Sequence, residues 1–315
     1  MRIAGVAMGL STLLLVLPQT RQEPQDPFVF RGGVDVVALN VIVTDRRQQF
    51  VDGLGLRDFR VYEDGVAQTI SYFALERLPL DLAVVIDISS SMGPIMSTLQ
   101  SAAIGFVKAL QPVDRVTVIA IRSRAELLHE LDSNLDAAID AIRRSSANGK
   151  TALYDSLYVA LSEMTRNRRE ASGLRRQAIV LISDGQDTAS VVAVDDVLER
   201  IRESLISVYT VTLVSKAEAQ RVAANSSFPD ALFHMKSFAT ESGGRPFVAK
   251  GAGDLKSVYH AIADELAHQY TVGYISTNRQ RDGGFRRIDI RVVDRGDLSA
   301  RARPGYLAPR GSGGG

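Results

Sequence analysis

The feature that most limits how this chain can fold is a regular alternation of short apolar runs and amphipathic segments, which begins at Asp81. Apolar residues recur at helical spacing between the runs, as at Leu153, Leu157 and Leu161. The alternation predicts an α/β fold with a mostly parallel sheet and right-handed crossovers. The run at residues 82–86 suits a strand buried on both faces of that sheet. Further strands are expected at residues 116–121, 178–182 and 208–213, with an edge strand at 127–131 and a short final strand at 246–249.

Segments of β character lie on both sides of this α/β region, which spans residues 78–268. Residues 30–77 contain a strand at 34–44 and two apolar runs around Asp64-Gly65, a dipeptide typical of a hairpin turn. Residues 269–308 contain strand-like runs at 270–275 and 285–293. Since isolated hairpins are marginally stable, we expect the two segments to pack together as one accessory β unit. The glycine-rich residues 309–315 predict a disordered tail.

The first 26 residues predict export. Arg2 is followed by an apolar run at residues 3–17, which has the length of a signal-peptide core and is short for a membrane span. We therefore assign residues 1–26 as a signal peptide or N-terminal export segment and expect a periplasmic or extracellular protein. No A-x-A cleavage site is visible, so an uncleaved segment would instead tether the protein to a membrane.

Composition excludes several functions. The chain has no cysteine, which rules out disulfides and thiolate metal sites and leaves oxygen ligands, with imidazole as the alternative. With 37 basic and 36 acidic residues the net charge is +1, so we predict no binding to nucleic acid. The richest basic cluster is interpreted as a solvated loop; its members are Arg166, Arg168, Arg169, Arg175 and Arg176.

Oxygen-bearing side chains follow two of the predicted strands and precede a helix. In the D-x-S-x-S run after residues 82–86, Asp87, Ser89 and Ser91 share one side of an extended turn. Asp184 follows the strand at 178–182, and Thr151 lies in the loop before the next helix. Ligands of open α/β sheets bind beyond the carboxyl ends of the strands, and hard cations such as Mg²⁺ prefer oxygen donors. Taken singly, these residues are also typical of helix caps and turns.

Three motifs in this order resemble the von Willebrand factor type A domain and its metal-ion-dependent adhesion site: residues 83–92, 149–155 and 179–185. The resemblance covers residues 78–268 and implies a doubly wound sheet with helices on both faces. It also implies that Asp87, Ser89, Ser91, Thr151 and Asp184 ligate Mg²⁺, with Mn²⁺ or Ca²⁺ as alternatives. A partner's Asp or Glu would take the open position. The flanking β segments are similar to those of secreted bacterial proteins of this type.

Other signatures of chemistry are missing. Gly149-Lys150-Thr151 lacks the earlier glycine of a phosphate-binding loop, since residue 144 is arginine. No H-E-x-x-H or G-x-S-x-G motif occurs. We therefore predict a binding module rather than an enzyme, with a protein as its partner. The alternatives are a structural envelope component whose metal stabilises a loop and a metal-dependent hydrolase; nothing in the sequence indicates an oligomeric state.

Overall fold

A computed structural model of the protein describes residues 36–74, 78–170, 174–214 and 230–311. A six-stranded sheet lies at its centre, and its strands are β5 (Leu80–Asp87), β6 (Arg115–Ile121), β7 (Ala125–Asp132), β8 (Arg176–Ser183), β9 (Ser207–Leu213) and β10 (Pro246–Ala249). Their spatial order is β10-β9-β8-β5-β6-β7. All neighbours are parallel except β6 and β7, which pair antiparallel at one edge.

Helices cover both faces of this sheet. One face packs against α1 (Met96–Lys108), α2 (Leu135–Arg144) and α6 (Leu255–Ala267), and the other against α3 (Leu153–Glu170), α4 (Val194–Ser204) and α5 (Asp230–Ser242). Strand β5 serves both cores: Leu82 and Val84 point into the first, whereas Ala83 and Val85 point into the second. This two-sided burial explains why the strand is a continuous apolar run. The predicted fold class is confirmed.

The strand order creates a crevice at one end of β5. Strand β6, which follows β5 in the chain, lies on one side of β5 in the sheet. Strand β8 lies on the other side of β5. The crossovers therefore leave β5 and β8 in different directions. Loops that separate in this way leave a cleft at the carboxyl ends of the strands, where doubly wound sheets bind their ligands.

The flanking segments form two further four-stranded sheets, as predicted for an accessory β unit. Their strands are β1 (Val36–Thr44), β2 (Phe59–Glu63), β3 (Val66–Gln68), β4 (Ile70–Ala74), β11 (Gln269–Ile275), β12 (Phe285–Val292), β13 (Ser299–Arg301) and β14 (Gly305–Leu307). The sheet orders are β13-β1-β11-β4 and β14-β12-β2-β3. Each sheet combines strands from before and after the α/β region, and one core that includes Leu39, Phe59 and Tyr274 lies between them. Short 3-10 helices at Leu56–Asp58, Ser90–Ile95 and Ala252–Asp254 complete the described elements.

The predicted hairpin is present, but its second arm is split. Asp64 and Gly65 have φ values of 48° and 84°, the left-handed conformations that a two-residue hairpin turn of this type needs. The run after the turn breaks at Thr69, so that β3 stays beside β2 while β4 joins β11 in the other sheet. The segment after the turn thus contributes one strand to each sheet of the sandwich.

The interpretation of the basic cluster as a solvated loop was wrong for two of its members. Arg175 and Arg176 do not lie in a solvated loop, because Arg175 pairs with the buried Asp81 and Arg176 is itself buried and donates to the carbonyl of Leu266.

The predicted export segment at residues 1–26 lies outside the described residues, as do residues 312–315 of the predicted tail. The prediction of a disordered tail was wrong for its described part, because Arg310 pairs with Glu199 and the N–H of Gly311 donates to the carbonyl of Arg281 at 2.8 Å. Within the described ranges, no helix is both long and apolar enough to cross a membrane.

Candidate metal centre

The loop after β5 is pinned on both sides by backbone hydrogen bonds. The N–H of Ile88 donates to the carbonyl of Ile121, and its own carbonyl accepts from the N–H of Asn148 at 2.8 Å. The N–H of Ser90 donates to the carbonyl of Gly149 at 3.1 Å. These bonds place the D-x-S-x-S loop directly against the loop that carries Thr151.

Asp87 is a buried carboxylate whose hydrogen-bond donors are neutral groups. It is fully buried at the end of β5, where one oxygen accepts from the N–H of Ser89 at 2.9 Å and the other from the hydroxyl of Ser183 at 2.6 Å. Burial raises the pKa of Asp87, and the nearby charge of Asp184 raises it further; hydrogen bonds from Ser183 and Ser89 oppose the shift. The largest influences on this pKa come from burial, Ser183, Ser89 and Asp184, and no ion pair to Asp87 is present among the described residues. A buried charge needs an opposite charge or a metal, so the site favours a cation.

The oxygens of three further side chains form a chain beside Asp87. The hydroxyls of Ser89 and Ser91 lie 3.1 Å apart, and the hydroxyl of Ser91 donates to a carboxylate oxygen of Asp184 at 3.3 Å. Adjacent ligands of an octahedral Mg²⁺, each about 2.1 Å from the ion, are themselves about 3 Å apart. Ser89 is buried, Asp184 half-buried and Ser91 exposed, so the group opens to solvent on the side of Ser91.

Among the described residues, no hydrogen bond joins Thr151 to this group, and its backbone instead bonds to the loop that follows Asp184. Its N–H donates to the hydroxyl of Thr188 at 3.0 Å, and its carbonyl accepts from the N–H groups of Thr188 and Ala189. Thr188 belongs to the loop after Asp184. The structure thus brings Asp87, Ser89, Ser91 and Asp184 together by side-chain contacts and holds the buried Thr151 beside them.

A clamp between the loop after Asp184 and the start of α3 fixes two parts of the site relative to each other. The carboxylate of Asp187 accepts from the N–H of Leu153 at 2.8 Å and from the hydroxyl of Ser190 at 2.6 Å. In return, the carboxylate of Asp155 accepts from the N–H groups of Val191 and Val192 at 3.0 and 2.9 Å. We call these reciprocal bonds the loop clamp.

Sequence reasoning missed Ser183, Asp155 and Asp187. Ser183 precedes Asp184 directly, yet a serine at the end of a strand is common enough that only the observed bond to Asp87 reveals its role. Asp155 lies four residues after Thr151 in the first turn of α3, and Asp187 lies three residues after Asp184 in the loop that follows β8. Such positions are typical of residues that bind free backbone N–H groups, and they could have marked both residues.

Glycine is required after Asp184. Gly185 has a φ of 83°, and a Cβ there would lie 3.1 Å from Cγ of Met235 and 3.2 Å from Cβ of Ala231 in α5. A left-handed glycine lets the loop turn sharply against the helix at this point.

The donor set suits a hard divalent ion. Within the described residues, no group of three or more His, Cys, Asp or Glu side chains is placed to hold a metal. The cluster built here instead combines two carboxylates with hydroxyls, so it lacks the nitrogen or sulfur ligands that zinc prefers. Carboxylates, hydroxyls and water are the ligands of Mg²⁺, Mn²⁺ and Ca²⁺. The residues present therefore fit such an ion.

A doubly wound sheet with a D-x-S-x-S loop at its switch point defines a class, that of von Willebrand factor type A domains. The sequence model for the von Willebrand factor type A domain matches residues 82–186. Residues 82–186 are therefore assigned to a von Willebrand factor type A domain.

Curated relatives match part of the chain. An uncharacterized protein of Synechocystis sp. is 36% identical over 114 residues, which are 35% of this chain and 26% of that protein. Inter-alpha-trypsin inhibitor heavy chain H1 of Sus scrofa is 28% identical over 139 residues, which are 42% of this chain and 15% of that protein. The match to each of these curated relatives thus spans less than a third of the relative's length.

Solved structures share the fold. A von Willebrand factor type A structure from Catenulispora acidiphila has a TM-score of 0.51 at 10% identity, covering 89% of this chain and 76% of that one. Proximal thread matrix protein 1 from the mussel byssus has a TM-score of 0.50 at 15% identity, covering 69% and 51%. At these identities the likeness concerns the fold alone.

Proposed function

We propose that Asp87, Ser89, Ser91, Thr151 and Asp184 hold a divalent cation, Mg²⁺ in the first place with Mn²⁺ or Ca²⁺ as alternatives, and that the protein uses it to bind a partner. The ion supplies a Lewis-acid position that a carboxylate oxygen can occupy. The partner would be a protein that offers an Asp or Glu side chain. In this proposal the domain binds and does not catalyse a reaction.

The observation that carries the proposal is the buried, uncompensated carboxylate of Asp87 next to a second carboxylate, that of Asp184. Two like charges at a solvent-facing cleft raise each other's energy, and a divalent cation between them reverses the sign of that interaction. The hydroxyls of Ser89 and Ser91 supply neutral donors at the spacing of adjacent ligands. The exposure of Ser91 leaves a route for a partner to approach.

The domain assignments of the whole chain belong to the same proposal. Residues 78–268 would form the binding domain, and residues 30–77 with 269–308 the accessory unit. Residues 1–26 would direct export to the periplasm or the cell exterior, or would anchor the protein to a membrane if they are not removed.

Thermal unfolding with and without added ion tests the metal site. An ion that binds only the folded state stabilises it by about 2.7 kcal/mol at a free concentration 100-fold above its dissociation constant. For a domain of this size, that stabilisation raises the melting temperature by about 5–10 °C. Asp87→Ala protein should fold and show no such rise. Wild-type protein that melts at the same temperature in chelator, Mg²⁺, Mn²⁺ and Ca²⁺ would count against the proposal.

A further inference from the structure

The surroundings of the candidate metal centre differ in chemistry from one side to the other. On the side of α3 and α5 the exposed residues include Val191 and Phe233 beside the acidic Asp230, whereas at the turn between β6 and β7 they include Arg124, with Lys150 next to it. Such asymmetry bears on which acidic segments could reach the ion, because contacts flanking an anchoring group decide specificity.

The apolar side is centred on Val191, which is 93% exposed. Its exposure is fixed by the loop clamp, because the N–H groups of Val191 and Val192 both donate to Asp155. The side chain is therefore held in water on a loop whose position is set by hydrogen bonds. A rigid apolar group loses little entropy when a partner covers it, which favours its use as a contact.

Aromatic residues continue this side toward α5. The hydroxyl of Tyr154 lies 2.8 Å from Nδ1 of His234, and the ring of His234 meets that of Phe233 edge-on at 5.9 Å. Phe233 is 59% exposed, and α5 reaches the metal centre through the contact of Ala231 with Gly185. We call Val191, Tyr154 and Phe233 the apolar rim.

The basic side consists of Arg124 and Lys150. Lys150 adjoins Thr151 in sequence, and its N–H donates to the hydroxyl of Ser123, which precedes Arg124 in the turn between β6 and β7. Both side chains are exposed, and within the described part of the chain neither forms an ion pair, whereas the nearby Arg122 is paired with Glu126. We call Arg124 and Lys150 the basic rim.

We propose, on the basis of the function proposed above, that the partner is an extended acidic segment of polypeptide that is recognised at three points. Its central Asp or Glu takes the open position of the ion. An apolar side chain on one flank packs on the apolar rim, and a second acidic residue on the other flank meets the basic rim. The ion alone would bind any accessible carboxylate, and the two rims would select among them.

Three fluorescent synthetic peptides of equal length test this proposal by anisotropy on the full chain, in Mg²⁺ and in chelator. One carries a single Asp among Gly and Ser, the second adds a Leu on one flank, and the third adds a second Asp on the other. Each peptide is made with both orders of its flanks. The single-Asp peptide should bind only with Mg²⁺. The Leu of the second peptide should cover Val191 and tighten binding about tenfold, since the burial of one such side chain supplies a binding free energy of about that size. The second Asp should tighten it about threefold, and added salt should remove that gain.

Matched variants assign the gains to the rims. Val191→Ser should remove the gain from Leu, whereas Val113→Ser should keep it, because Val113 is 57% exposed just before β6, at the opposite end of the sheet. Lys150→Glu should remove the gain from the second Asp, whereas Lys256→Glu on α6 should keep it.

The outcomes separate this inference from the function on which it rests. If the single-Asp peptide binds with Mg²⁺ but neither addition tightens binding, the rims do not select and this inference is overturned while the metal-dependent binding stands. Equal effects of Val191→Ser and Val113→Ser also overturn it. If no peptide binds in a Mg²⁺-dependent way, carboxylate docking fails, and the rims fail with it.

Discussion

Asp187→Ala is expected to weaken the metal centre without removing any of its five proposed ligands. Asp187 binds the free N–H of Leu153 at the start of α3 and the hydroxyl of Ser190 in its own loop. Loss of a helix-capping acceptor costs about 1 kcal/mol, and loss of a negative charge at a helix N-terminus costs up to about 1 kcal/mol. The lost bond to Ser190 adds about 1 kcal/mol.

These contributions amount to about 2–3 kcal/mol of stability in the absence of metal. The same change removes the Asp187 half of the loop clamp, so binding of the ion must then order segments that are fixed in the wild type. Ordering even one residue costs about 1–2 kcal/mol, which corresponds to about a tenfold loss of affinity.

Two measurements check this prediction. Hydrogen exchange of the Leu153 and Tyr154 amides in chelator should accelerate in Asp187→Ala protein, and calorimetric titration with Mn²⁺ should give the weaker affinity. Asp187→Asn is the control, because it keeps an oxygen acceptor for Leu153 and loses only the charge. Asp187→Asn should lose less than half of the stability that Asp187→Ala loses, and it should keep most of the wild-type affinity for Mn²⁺. Amide exchange and Mn²⁺ affinity that match the wild type in Asp187→Ala would refute the role given to the clamp.

Two further substitutions test the packing around the site and the accessory unit. Gly185→Ala should cost about 1–3 kcal/mol and lower Mg²⁺ affinity, since it places a Cβ at a φ of 83° against Met235; urea unfolding and titration measure both effects. Glu63→Ala should cost about 3 kcal/mol and leave Mg²⁺ affinity unchanged, because the buried carboxylate of Glu63 accepts from the hydroxyls of Tyr274 and Tyr306 at 2.7 and 3.0 Å.

Two substitutions that should have little effect serve as controls for Gly185→Ala and Glu63→Ala. Gly93→Ala meets no atom within 4 Å and needs no left-handed backbone, so it should leave stability and affinity unchanged. Glu130→Ala lies at an exposed position of β7 and should change stability by less than about 0.5 kcal/mol. Losses in these controls as large as those in Gly185→Ala and Glu63→Ala would show that the structural reasons given are wrong.

Local patterns were sufficient to predict the central sheet and the turn at Asp64-Gly65. A strand buried on both faces must be apolar throughout, and a two-residue hairpin turn needs residues that tolerate a positive φ, so both leave a mark within a few residues. The switch of sheets at Thr69 left no such mark, because it depends on how two distant parts of the chain pair.

Two helices were not predicted, although their sequences contain the signal. In α2, Leu135, Ala138, Ile139 and Ile142 follow helical spacing, and Asn134 accepts from the N–H of Ala137 as a cap. In α5, Leu232, Met235, Phe238 and Ala239 are buried at helical intervals. Small and mixed apolar residues make such a stripe less evident than the leucines of α3.

The residues proposed as ligands could be picked out in the sequence because each one lies in a motif at the end of a strand or the start of a helix. The residues that support these ligands through hydrogen bonds could not be picked out in the sequence. Ser183 and Asp187 act through hydrogen bonds to Asp87 and to α3, and those bonds depend on how separate loops meet. The proximity of Ser91 to Asp184 is of the same kind, since 93 residues separate them in the chain.

Crystals grown with Mn²⁺ and measured for anomalous scattering test the central claim most directly. The account predicts one strong anomalous peak between Asp87, Ser89, Ser91 and Asp184, at about 2.2 Å from the hydroxyl oxygens of the two serines. Asp87→Ala crystals prepared in the same way should lack the peak. Wild-type crystals with no peak at this position, or with a peak only elsewhere on the protein, would contradict the account.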